Sequence, residues 1–187
     1  MTKVLCALML GLPVIAVAGP GPSTTVRPAS TLSALDTQMI AHQHAVNQTE
    51  IAMGKLAEAN GGAAVKKYGA MLVKDHAQGD KDMVALANKK GLTTIPADTA
   101  MSAADKKDRA ELTATLKGEK GAPFDRLFLT TMASAHDREI IKIQADIAVV
   151  TDRDLKVALE KTKPVLQKHS EAAKALAKTE TSSLEMR

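Results

Sequence analysis

The chain has 187 residues, a formal net charge of +4, and three aromatic side chains, Tyr68, Phe124 and Phe128. So few aromatics leave little surface on which bases or sugars could stack, which argues against single-stranded nucleic-acid binding. Lysines and acids are interspersed, so the small positive excess describes a solvated surface, and Gly61-Gly62 lacks the Lys-Ser/Thr that would follow in a phosphate loop.

At the start, Lys3 precedes a mostly apolar run from Val4 to Val17, and Ala16-Val17-Ala18 fits a small-x-small cleavage rule. These features predict an export signal over 1–18, cleaved after Ala18, and a periplasmic or envelope location. The mature chain would have 169 residues (187 − 18) and carry +3 once Lys3 is removed. Cys6 lies inside the signal, so the mature chain has no thiolate to offer a metal or a substrate. Residues 19–30, rich in Gly, Pro, Ser and Thr, read as a flexible linker.

A helical domain is expected over 31–178. The first long helix runs from Thr31 to Asn60, with Leu32, Leu35, Met39, His42, Val46, Glu50, Met53 and Leu56 on one stripe. Gly61-Gly62 ends it. The second runs from Ala63 to Lys90, with Val65, Tyr68, Leu72, His76, Gly79, Met83 and Leu86 sharing a face and Gly91 placed just beyond its end. Ser102 followed by Asp105 signals a short extra helix that ends near Gly118. Pro123 suits the first turn of the third long helix, whose stripe is Phe124, Phe128, Met132, His136, Ile140, Ile143, Ile147 and Val150. The fourth spans Asp152 to Lys178, with Leu155, Leu159, Thr162, Leu166, His169, Ala173 and Leu176 on its stripe and Pro164 as a point of kinking. The polar residues 179–187 are expected to form a disordered tail. Four amphipathic helices with two short turns predict an all-α four-helix bundle of two antiparallel hairpins, and no transmembrane span in the mature chain.

Each of these helices carries a histidine on its apolar stripe: His42, His76, His136 and His169. Such a set is either a metal or proton site or a group of hydrogen-bonded core residues. Level decides whether they meet. His76 lies 15 residues after Gly61 (76 − 61), which faces Val46; His42 and Glu50 flank that level by about one turn, roughly 6 Å. His136 lies 15 residues before Thr151 (151 − 136), which faces residues 166–168, close to His169. A cluster of His76, His136, His169 and either Glu50 or His42 is therefore expected. Imidazole with carboxylate suits Zn, Fe, Mn or Cu, and Asp75, Asp80 and Glu139 are candidates to orient the rings. Met53, Met83 and Met132, also on the stripes, would suit copper but serve equally as gap-fillers.

Asn47-Gln-Thr-Glu50-Ile-Ala-Met-Gly-Lys-Leu-Ala57, Met71-Leu-Val-Lys-Asp75-His76, Phe124-Asp125-Arg126, Ala135-His136 and the segment from Pro164 to His169 follow one another in a known order. Over Leu35 to Leu176 the chain resembles the exported bacterial domain-of-unknown-function 4142 family, whose members are often labelled outer-membrane proteins. The resemblance implies a ferritin-like bundle and points to Glu50, His76, His136 and His169 as its polar core positions. It implies no activity.

Di-iron bundles use a Glu three residues before each liganding His. Here those positions are Val73, Ala133 and Leu166, so at most a mononuclear site is expected. The reading that follows is a non-enzymatic envelope protein that binds one transition-metal ion, Zn, Fe or Cu, through Glu50, His76, His136 and His169, for stress, storage or sensing. The alternative is a structural module with packing histidines, whose lysine-rich faces meet an anionic envelope partner. An enzyme is the third reading. Ser134 and Ser170 neighbour His136 and His169 in sequence, but adjacent helix positions do not face each other, so neither pair makes a nucleophile with its base.

Overall fold

Ser33 starts the first helix, its hydroxyl accepting the backbone N–H of Asp36 at 3.0 Å. The computed structural model describes residues 32–99 and 102–185. Among them are five helices and no strand: α1 (Ala34–Asn60), α2 (Ala63–Lys89), α3 (Ala103–Gly118), α4 (Gly121–Val149) and α5 (Arg153–Glu185). The expected export signal, 1–18, and linker, 19–30, lie outside the described residues. Several helix bounds differ from the sequence reading: α1 begins at Ala34, not Thr31, and α2 ends at Lys89, not Lys90. α4 begins at Gly121, before Pro123, and α5 continues past Lys178 to Glu185. Extending an existing helix adds one bond per residue without a new nucleus, so a polar segment can continue it; Thr179 also returns its hydroxyl to the Ala175 carbonyl. No helix among the described residues is long and apolar enough to cross a membrane.

α1 and α2 run back along one another. Gly54 meets Gly69, Asn47 meets His76, and His44 meets Asp80, so α1 and α2 are antiparallel. The closest approach needs glycine: a Cβ on Gly54 would stand 2.7 Å from the Gly69 carbonyl, and one on Gly69 would stand 2.6 Å from that of Gly54. α2 ends on Gly91, whose φ of 81° allows the Leu92 N–H to return to the Ala87 carbonyl at 2.9 Å. α4 and α5 pack along each other, with Asp137 meeting Ser170 and Gln144 meeting Lys163, and the two pairs meet through α2 with α5 and α1 with α4.

Buried polar groups clamp both ends. Asp36 accepts the backbone N–H and the hydroxyl of Thr151, and Lys90 pairs with Asp152 at 2.7 Å. At the other end Asp125 accepts the Gly62 N–H. Between the clamps lie two apolar clusters. One contains Met53, Tyr68, Leu72, Phe124, Phe128 and Met132; the other contains Met39, Ile40, Met83, Ile143, Leu155 and Leu166. On every long helix a buried polar residue falls between the two: Glu50 on α1, His76 on α2, His136 on α4 and His169 on α5. The core is therefore apolar, polar and apolar again along its axis.

Candidate metal centre

The three histidines meet. Ring centroids are 5.1 Å apart for His76 and His169, 5.2 Å for His136 and His169, and 5.9 Å for His76 and His136. One ring nitrogen of each lies within 4.8 Å of those of the other two. Glu50 Oε2 stands 4.0 Å from His136 Nε2. All four residues are buried.

The second nitrogen of each ring fixes its tautomer. His76 Nδ1 donates to Asn47 Oδ1 at 2.9 Å, and His136 Nδ1 donates to the Met132 carbonyl at 2.8 Å. His169 Nε2 donates to Asp75 Oδ2 at 3.0 Å. These three partners are acceptors, so the proton sits on the bonded nitrogen and a lone pair remains on the other. The remaining atoms, His76 Nε2, His136 Nε2 and His169 Nδ1, have no hydrogen-bond partner among the described residues, and neither does Glu50 Oε2.

Electrostatics agree with the tautomers. Burial drives His76 down to about 3, helped by the neighbouring imidazoles. Burial also takes His136 down to about 4, against the Met132 carbonyl, and lowers His169 despite Asp75. The rings are neutral at ordinary pH, the state in which imidazole binds metals. Burial pushes Glu50 the other way, up to about 7, with Arg109 pulling it down. Its carboxyl can therefore hold or release a proton near neutrality.

His42 is absent from this cluster. Its Nδ1 bonds Asp98 at 2.9 Å and its Nε2 bonds Glu139 at 3.1 Å, so neither nitrogen is available. The acids expected to orient the rings are placed differently from that expectation. Asp75 orients His169, not its neighbour His76, because consecutive helix positions point about 100° apart. Asp80 serves His44 and Gln48, and Glu139 serves His42 and Gln43. The sequence reading missed Asn47 as the partner of His76; the signal was available, since Asn47 sits one residue from the level computed for His76. Met53 and Met132 belong to one apolar cluster and Met83 to the other.

Fold and site together define a helical bundle with a buried three-histidine cluster that could hold a metal ion. The family model for Domain of unknown function (DUF4142) matches residues 21–176, so the chain belongs to that family. No curated protein and no solved structure matches the chain.

Proposed function

We propose that this chain is an exported four-helix bundle of the ferritin-like type, built of two antiparallel hairpins, that binds one transition-metal ion on His76, His136 and His169 with Glu50 as a further ligand. Its role is non-enzymatic and metal-linked: storage, sensing or stress protection. The carrying observation is that four buried polar atoms, one on each of these residues, are without partners at one level of the core. An unsatisfied buried polar atom costs about 1–3 kcal/mol, so four together call for an occupant. Three imidazole donors suit zinc, iron or copper, whereas calcium and magnesium prefer oxygen donors. A tetrahedral zinc site has nitrogens roughly 3.4 Å apart, closer than the 4.8 Å bound of this cluster, so metal entry draws the rings inward. Export is supported by Lys3, the apolar run to Val17 and the Ala16-Val17-Ala18 site.

The test is elemental mass spectrometry of protein purified without affinity tag or chelator. Near-stoichiometric zinc, iron or copper is expected, lost in His76→Ala and His136→Ala. Protein that carries no metal, and whose melting temperature no added metal raises, would assign the four atoms to ordered water and the histidines to packing.

A further inference from the structure

A cavity of about 520 Å³ lies between α1, α3 and α4, on the Glu50 side of the histidine cluster. Its size is that of a small-ligand pocket. Met53, Leu112, Met132 and Ala135 give it apolar lining, beside the hydroxyl-bearing Thr49, Thr113 and Thr131. The same lining carries charge, where Arg109 of α3 and Arg138 and Lys142 of α4 contribute three cations against two acids, Asp108 and Glu50. Arg138 is exposed and makes no hydrogen bond or ion pair among the described residues. Arg109 donates to the Thr49 hydroxyl at 3.3 Å, and Lys142 pairs with Asp146 at 2.7 Å. His42, which also lines the cavity, has its charge met by Asp98 and Glu139. Within the cavity the one buried acid is Glu50, whose Oε2 has no partner.

We propose that this cavity binds a small organic carboxylate with an apolar body, whose head Arg109, Arg138 and Lys142 hold while Met53, Leu112 and Met132 flank its chain. The planar guanidinium fork matches a carboxylate in shape and charge. An inorganic oxyanion would leave most of the volume unfilled. The proposal stands on the cavity alone and does not require a metal in the histidine cluster.

Calorimetric titration of the full chain with straight-chain carboxylates, butyrate to decanoate, tests it, run on metal-free and on zinc-supplemented protein. Saturable one-to-one binding with an optimum at intermediate chain length is expected in both. Arg109→Ala and Arg138→Ala should each weaken octanoate about tenfold or more. Both side chains are exposed, so these variants keep the fold, which circular dichroism checks. The proposal is overturned if no chain length saturates, if octanol binds as well as octanoate, or if the arginine variants bind unchanged. Inorganic phosphate binding in an arginine-dependent way while carboxylates do not would overturn it equally.

Discussion

His42 and His136 share one protein interior, yet their surroundings put them to opposite uses. His42 has a carboxylate on each nitrogen, Asp98 at 2.9 Å and Glu139 at 3.1 Å. Burial alone would lower its pKa, but Glu139 and Asp98 outweigh burial and hold it above the usual histidine value. His136 has a single partner, a helix carbonyl, and burial takes it down to about 4. One ring is a charged strut that ties the segment before α3 to α1 and α4. The other is a neutral base with an unused lone pair. A seam histidine is thus structural or available according to whether acids saturate both of its nitrogens.

The strongest test of this contrast replaces each ring with leucine. His42→Leu leaves Asp98 and Glu139, whose side chains are only 7% and 13% exposed, without the cation between them. Breaking such a buried pair costs on the order of 3 kcal/mol, measurable by urea denaturation. His136→Leu removes an unpartnered atom, so the metal-free protein should lose nothing or gain up to about 1 kcal/mol, while its metal response disappears. Equal destabilisation by both variants would break the comparison.

A smaller effect is expected one step out from the centre. Asp75 holds the His169 proton on Nε2 and so directs the Nδ1 lone pair inward. Partial burial pushes Asp75 up, but the hydrogen bonds from His169 and Lys168 outweigh it and keep it ionised. Asp75→Asn should weaken zinc by about 10–100-fold, the range for losing a carboxylate behind a metal-bound histidine, in a competition titration against a chelator. Asp80→Asn, which touches His44 and Gln48 instead, should leave zinc affinity unchanged. Matched losses in the two variants would point to a general charge effect.

Much of this arrangement was legible from spacing. The 3.6-residue stripes found the long helices, Gly61-Gly62 and Gly91 marked the turn between α1 and α2 and the stop after α2, and counting residues from the turns placed His76 opposite residue 46, beside its partner Asn47. The same count put His136 level with 166–168, and His169 is where the ring is found. What spacing could not supply was contact across helices without a shared turn. Asp98 reaches His42 from 56 residues away and Glu139 from 97, so the feature that removes His42 from the cluster is invisible in one helix's pattern. The cavity is hidden for the same reason: α3 reaches the first apolar cluster through Leu112 and Leu116, and its seat over α1 and α4 is set by tertiary packing.

The smallest expected signal is a pH drift of opposite sign in the two leucine variants. His136 has a folded pKa of about 4, below its unfolded value near 6.5. Its folded ring stays neutral while the unfolded one takes up a proton, so wild-type stability is lost as pH falls below 6.5. His136→Leu escapes that loss and should gain about 1 kcal/mol on wild type between pH 7 and pH 5.5. His42 has a raised folded pKa, so the stability it contributes is fully present below 6.5 and is lost as pH rises through that folded value. His42→Leu should therefore close part of its gap to wild type on the alkaline side. Glu50 also titrates, from about 4.5 unfolded to about 7 folded, and its contribution fades as pH rises through 7; because its Oε2 stands 4.0 Å from His136 Nε2, repeating the comparison in a Glu50→Gln background separates its drift from that of His136. Urea denaturation of the metal-free proteins at pH 5.5, 7 and 8.5 reads both drifts. If the two variants drift the same way, the charged strut and the neutral base are not the distinct environments that their partners describe.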